Sequence, residues 1–110
     1  MKGAIKKVIG LQINKEKTGE KLTVRLNGDL NFKTSPYLEE ELTKSIVDVK
    51  ELILDFTGVE YISSAGLRVL LALEKTMRHQ NGQMKLLNVN SAVKEIIRLA
   101  GFLQVMHIEN

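Results

Sequence analysis

LILDFTGVEYISSAGLRVLLAL, residues 52–73, contains the pattern from which we predict the fold of this chain. Its first part, Leu52–Phe56, is a short apolar run of the kind that forms a buried strand. Thr57 and Gly58 end that run, and most residues from Leu67 onward favour a helix. A strand, a short loop and a helix in this order make up half of a βαβ unit.

A pair of serines, Ser63 and Ser64, stands where this helix is expected to begin. Serine is a preferred N-cap residue because its hydroxyl oxygen accepts one of the unpaired backbone N–H groups at a helix start. Capping is therefore the simplest role for the pair. A GxSxG nucleophile elbow is excluded, because no glycine lies two places before either serine.

The longer segment LDFTGVEYISSAGLRVLL, residues 54–71, resembles the signature of the STAS domain, and in particular that of the bacterial anti-sigma factor antagonists. In that family an apolar strand and an Asp are followed by a short loop, an apolar-Asp-Ser-Ser-Gly-Leu turn and an apolar helix. The corresponding turn here is ISSAGL, residues 62–67. By this resemblance Ser64 matches the serine that is phosphorylated in the family, with Ser63 as the second choice. Ser63 stands where the family usually has Asp, and Ala65 where it often has another Ser.

The segment NGDLN, residues 27–31, resembles a second family turn, apolar-Gly-Glu-Leu-Asp, that precedes a helix. Asp29 takes the place of the Glu and Asn31 that of the Asp. Without the resemblance, Asn31 is simply a turn residue. With it, this loop is expected to lie beside the serine turn and to share a partner surface. Because Asn31 and Ser63 replace two family carboxylates, a phosphate near them is electrostatically easier to carry.

The resemblance implies a partner-binding module that is not an enzyme. Its partner would be an anti-sigma factor that is also a serine kinase, held by the unphosphorylated protein and released when Ser64 is phosphorylated. ATP would belong to that partner, so we expect no cofactor here, and a phosphatase that resets the switch is a further partner that this interpretation allows. The expected partner-binding residues share one end of the sheet: Asn31, Ser63, Ser64, Gly66, Leu67 and Arg68.

Three other functions stay open at this stage. A scaffold of the stressosome kind, or a subunit that serves a membrane transporter, would use the same domain for a different partner. A module that binds a small ligand or a nucleotide would use the helix N-terminus, where anions are favoured. Nucleic-acid binding rests only on the sequence pI of about 9.2.

The composition and the charge of the chain bear on which of these functions is expected. With 110 residues, of which 44% are hydrophobic and 26% charged, the chain is expected to be one globular domain spanning residues 1–110. The net charge of +3 is mild and charges of both signs are interleaved, so we predict no specific nucleic-acid binding. There is no cysteine, and His79 and His107 have no nearby ligand pattern. We expect no secretory signal, no insertion into a membrane and a cytoplasmic location.

The rest of the chain predicts an α/β fold of the STAS type, with a mixed sheet of four to five strands and three to four helices. Two alternating segments, Ile9–Ile13 and Leu22–Leu26, predict an antiparallel hairpin. The further elements follow in chain order: a helix over 35–48 with Ser35 as N-cap and Pro36 at its first position, a strand over 52–56 covered on both faces, a helix over 64–79, a strand over 84–89, a helix over 91–100 capped by Asn90 or Ser91, and a short strand from Leu103 to Ile108.

The helix over 64–79 has two apolar sides, one with Leu67, Leu70 and Leu71 and the other with Val69, Leu73 and Met77. Packing on a single sheet face requires only one such side. The helix is therefore either deeply buried or exposes an apolar face for docking.

Overall fold

The structure is a computed structural model that describes residues 2–8 and 10–109. It contains a single sheet and a set of helices whose bounds are as follows: β1 Lys2–Val8, β2 Leu11–Thr18, β3 Lys21–Gly28, α1 Ser35–Ser45, β4 Glu51–Gly58, α2 Ser64–His79, β5 Gln83–Leu87, α3 Ser91–Leu99 and β6 His107–Glu109. Ile9, which we placed in the first predicted strand, lies outside the described residues.

The strands lie in the sheet in the same order as in the chain. β1 pairs antiparallel with β2, and β2 with β3, whereas β3 to β6 run parallel to one another. The predicted mixed sheet is thereby confirmed, with three described helices between its parallel strands. The sheet has a strand beyond those we expected, β1, because Lys2–Val8 pairs along its whole length with β2.

One face of the sheet carries the core. Each parallel strand lies next to the one before it, and right-handed crossovers then place all the connecting helices on that same face. Apolar side chains from neighbouring strands form rows across this face because paired residues point the same way. Two such rows, all buried, are Leu22, Leu52 and Met84, and Val24, Leu54 and Leu86.

The opposite face is open and polar, so the expectation that Leu52–Phe56 is covered on both faces is wrong for this side. Asp55 is half-exposed there, with Arg25 exposed beside it in the β3–β4 register. Only Ile53, between Thr23 and Lys85, is buried on that side of β4. β4 is still the most buried of strands β2–β6, because its helix-facing residues lie at the centre of the core.

Asp55 is held by a small network on the open face. Its Oδ1 atom accepts hydrogen bonds from Thr57 Oγ1 at 2.6 Å, from the Thr57 backbone N–H at 2.9 Å and from Asn88 Nδ2 at 3.1 Å. Partial burial raises the pKa of this carboxyl, but the hydrogen bonds and the nearby Arg25 charge outweigh it, so the pKa is lowered from its ordinary value.

A lowered pKa means that Asp55 contributes stability above its unfolded-state pKa and loses that contribution as the pH falls through its folded-state pKa. We expect Asp55→Asn to lower the free energy of unfolding by up to about 1 kcal/mol at pH 7, since solvent screens a carboxyl that is only partly buried. The loss should shrink as the pH falls through the folded-state pKa of Asp55. Urea titrations across this pH range test the prediction, with the exposed Asp48→Asn as control. A loss that does not change with pH would assign the effect to shape rather than charge.

The helices follow the predicted bounds closely. α2 begins and ends where we expected, and both of its apolar sides pack into the protein, so it is a deeply buried helix rather than an exposed docking face. α1 is shorter than expected because it ends at Ser45, although Ile46 and Val49 beyond it remain in the core. Asn90 caps α3, since its Oδ1 accepts a hydrogen bond from Val93 N at 2.7 Å.

The last strand is shorter than predicted. Of the residues that we assigned to it, Ile108 lies in β6, whereas Leu103 and Val105 lie in a turn between α3 and β6. That turn is closed by hydrogen bonds from the backbone N–H groups of Val105 and Met106 to the Phe102 carbonyl. Met106 is buried and anchors the turn to the core.

Candidate functional site at the start of helix α2

Two loops that are distant in the chain meet at the start of α2. Leu30 and Ile62 form an isolated parallel bridge. The Leu30 N–H donates to the Tyr61 carbonyl at 3.1 Å, and the Ser63 N–H donates to the Leu30 carbonyl at 2.8 Å. The loop after β3 therefore lies beside the serine turn, as we expected. Asn31 follows Leu30, which is hydrogen-bonded to Ser63.

The two serines have different environments. Ser63 is the N-cap of α2: its backbone is extended, its Oγ accepts a hydrogen bond from Gly66 N at 3.4 Å, and its carbonyl accepts one from Leu67 N at 3.0 Å. Ser64 is the first helical residue and its side chain is exposed. The predicted capping role is thus carried by Ser63, while Ser64 presents its hydroxyl to solvent at the positive end of the helix.

Gly66 and Leu67 do not belong to the exposed surface. Gly66 is buried, and a Cβ atom at this position would lie 2.7 Å from Ile62 Cγ1 and 2.9 Å from Leu30 Cβ. Leu67 is only 7% exposed and belongs to the core. Our expectation that Gly66 lets a partner approach the helix start is wrong, because this space is already filled by the loop that carries Leu30.

Asn31 organises the start of α1. Its Oδ1 accepts hydrogen bonds from Lys33 N at 2.9 Å and Thr34 N at 3.0 Å, and its carbonyl accepts one from Ser35 N at 2.9 Å. Thr34 Oγ1 closes the loop by donating to the Asp29 carbonyl at 2.7 Å. Our assignment of Ser35 as N-cap is therefore wrong: it is the first residue of α1, and the Asn31 side chain supplies the cap one turn earlier.

This capping role leads to a prediction for Asn31. Asn31→Ala should lower the free energy of unfolding by about 0.5–2 kcal/mol, because it removes the acceptor for two backbone N–H groups. Asn31→Asp keeps that acceptor and restores the carboxylate of the resembled family, so it should be nearly neutral. Thermal and urea denaturation of the three proteins measure the difference. Equal losses in both variants would show that the amide nitrogen, rather than the capping oxygen, matters.

Two exposed aromatic residues belong to the loops that meet at the start of α2. Phe32 is 73% exposed in the loop after β3, and Tyr61 is 50% exposed in the loop before α2. Arg68, one helical turn after Ser64, is exposed as well. Sequence analysis had not singled out Phe32 or Tyr61, because a hydrophobic residue in a loop gives no sign of whether it is buried. Exposed aromatic residues and arginine are enriched at protein–protein interfaces.

The histidines and acidic residues of the described chain do not form a metal site. Within residues 2–8 and 10–109, no group of three or more His, Cys, Asp or Glu residues could hold a metal ion. His79 lies at the end of α2, and His107 contacts Glu109 on β6 at 3.1 Å. No helix in the described ranges is long and apolar enough to cross a membrane.

Comparison with known proteins agrees with this geometry. Residues 12–110 match the family model described as the STAS domain. A relative in Bordetella bronchiseptica, BtrV, is described as a candidate anti-sigma factor antagonist. It is 31% identical over 101 residues, which cover 91% of this chain and 87% of that protein.

The fold is also similar to that of a solved anti-sigma factor antagonist, SpoIIAA. Its unphosphorylated form superimposes with a TM-score of 0.77 at 21% identity, covering 89% of this chain and 88% of that one. The phosphorylated form, from Bacillus, gives a TM-score of 0.70 at 20% identity, with 89% and 91% covered. At such identities the likeness concerns the fold alone.

Proposed function

The chain belongs to the STAS domain family, and from this premise we propose that it is an anti-sigma factor antagonist controlled by phosphorylation of Ser64. Its partner is an anti-sigma factor with serine kinase activity. The unphosphorylated protein binds this kinase and so frees a sigma factor for transcription. The kinase transfers the γ-phosphoryl group of ATP to the Ser64 hydroxyl, ADP leaves, and the complex separates.

The observation that carries this proposal is the difference between the two serines. Ser63 Oγ is engaged at the helix cap, whereas the Ser64 side chain is exposed. A kinase needs an accessible hydroxyl, so Ser64 is the better acceptor of the two. The start of α2 also suits the product, because its first turn contains no acidic residue to repel a phosphate and its unpaired N–H groups favour an anion.

The surface around Ser64 suits a protein partner. Tyr61 and Phe32 belong to the two hydrogen-bonded loops that meet beside Ser64, and both aromatic side chains are exposed. Buried aromatic anchors supply much of the energy in protein interfaces. The partner surface that we propose therefore consists of Asn31, Phe32, Tyr61, Ser64 and Arg68, with Ser63, Gly66 and Leu67 supporting it from below.

The two states of SpoIIAA support a phosphorylation switch on this fold, since that protein is described in an unphosphorylated and in a phosphorylated form. In the present chain the remaining roles follow by analogy. The ATP site lies on the kinase, a phosphatase regenerates the active form, and this chain itself carries no catalytic group.

A pull-down from native cell extract, with and without ATP, tests the proposed function. The immobilised protein should retain an anti-sigma factor kinase without ATP and release it when ATP is added, and mass spectrometry should then find a phosphate on Ser64. Retention of transporter subunits or of other scaffold components, unaffected by ATP, would contradict the proposal.

A further inference from the structure

A groove between α1 and α2 opens beside the serine turn. It encloses about 190 Å³ and is lined from α2 by Ala65, which directly follows Ser64, and by Arg68. From α1 it is lined by Ser35 and Glu39. The groove is open to solvent and has room for a phosphate group.

Two groups in this groove have no polar partner among the residues that the structure describes. Arg68 is exposed and forms no ion pair with any side chain that the structure describes. The Ser35 hydroxyl is the buried side-chain oxygen that lacks a hydrogen-bond partner among the described residues, and Ser35 as a whole is 1% exposed. Buried polar groups are almost always paired, so an orphan of this kind calls for an explanation.

The spacing of Arg68 suits a phosphate on Ser64, and Ser35 lines the same groove as Arg68. Ser64 and Arg68 stand one turn apart on α2, a spacing at which side chains on a helix surface meet. A phosphate is recognised by a guanidinium together with further hydrogen-bond donors. We propose that the phosphate of Ser64 is held by its own protein at this groove: Arg68 pairs with it, and Ser35 Oγ donates a hydrogen bond to one of its oxygens.

This inference rests on the proposed phosphorylation and adds a mechanism to it. A phosphate drawn toward Arg68 both adds negative charge to the partner surface and removes the arginine from that surface. A partner that contacts Arg68 would therefore lose a cation and meet an anion in a single event. Glu39, on the α1 side of the groove, would then be left next to a phosphate and move outward.

The test uses phosphoserine inserted at position 64 during translation, so that it needs no kinase and does not depend on the proposed partner. Phosphorus NMR follows the second ionisation of the phosphate as the pH changes. A neighbouring cation favours the doubly charged form, so the midpoint should lie about 0.2–0.4 pH units lower in the wild type than in Arg68→Ala. Arg68→Lys should restore most of the shift. Glu39 in the groove and Asp29, Lys33 and Glu60 in the neighbouring loops are the same in every variant, so their charges cancel in the comparison.

The control is Lys75→Ala, which removes an exposed cation from the same helix three turns away and should leave the midpoint unchanged. An equal midpoint in wild type and Arg68→Ala would overturn the pairing, even if phosphorylation still released the partner. Loss of partner release with a normal Arg68 shift would instead contradict the proposed function alone.

Ser35→Ala tests the buried end of the groove. It removes an unpaired hydroxyl, so the unphosphorylated variant should be at least as stable as the wild type. Phosphorylation of Ser64 changes the melting temperature of each protein. If Ser35 binds the phosphate, this change should be more stabilising, or less destabilising, in the wild type than in Ser35→Ala. The same change in both proteins would exclude Ser35 and leave the phosphate, at most, at the mouth of the groove.

Discussion

Ser64→Ala is expected to hold the anti-sigma factor kinase permanently, whether or not ATP is present, whereas the wild type should release it once phosphorylated. A phosphate adds about −1.5 to −2 charges at neutral pH. In the complex this charge would have to lose its water against a surface shaped for a hydroxyl group. Burying an unpaired charge costs on the order of 3–5 kcal/mol, and pairing with the exposed Arg68 offsets only about 0.2–0.5 kcal/mol of that cost.

That cost sets the size of the expected effect. At about 1.4 kcal/mol for each factor of ten, binding should weaken by roughly a hundred- to several-thousand-fold. Ser64→Asp should also bind poorly, although its single charge makes it a partial mimic. Both variants should stay folded, because Ser64 is exposed and makes no hydrogen bond needed for the cap. Titration calorimetry of the purified pair measures the affinities, and circular dichroism checks the fold.

Ser63→Ala is the matched control for this series. It removes the capping oxygen and should cost about 1 kcal/mol of stability, yet it leaves the Ser64 hydroxyl available to the kinase. Phosphate found in Ser64→Ala but absent from Ser63→Ala would move the acceptor by one residue. Absence of phosphate from every form, with binding indifferent to ATP, would mean that the protein is a constitutive scaffold.

The elements that sequence analysis predicted well are those whose pattern is local. The apolar run of β4 and the periodic apolar residues of α2 leave little choice of structure, and the structure confirms both. β1 was missed because Lys2–Val8 is rich in lysine and lacks a regular alternation, so only its pairing with β2 defines it as a strand. The sequence of β4 did not show that one of its faces is uncovered, for a related reason. Which face of the sheet is covered depends on where the helices pack, and the sequence of a single strand does not contain that information.

The sequence predicted which loops form the candidate site, but not which of their residues are exposed. The resemblance located the serine turn and the Asn31 loop, and the bridge between Leu30 and Ile62 joins them. Which residues of that turn reach the solvent depends on contacts made across the fold. Gly66 and Leu67 were assigned to the surface because they are next to Ser64 in sequence, whereas the helix turns both of them inward.

Gly66→Ala should destabilise the protein, although the same change within a helix usually stabilises it. Replacing a helical glycine by alanine normally contributes about 0.4–1 kcal/mol, because the unfolded chain loses freedom. Here the new Cβ would lie 2.9 Å from Leu30 Cβ and 3.0 Å from the Leu30 carbonyl oxygen. That oxygen accepts the hydrogen bond from Ser63 N, so it cannot withdraw without breaking the bridge between the two loops.

Overpacking of this kind costs about 1–3 kcal/mol, which exceeds the usual gain, so the sign of the effect should reverse. Gly66→Val should cost more, because its branched side chain meets Ile62 and Leu30 together. Ala65→Val is the control: it adds similar bulk to the same helical turn, but on its partly exposed side. Urea denaturation of the four proteins gives the free energies of unfolding. If Gly66→Ala proves as stable as the wild type, the Leu30 loop yields freely, and the Asn31 loop is then held to the serine turn less firmly than its hydrogen bonds indicate.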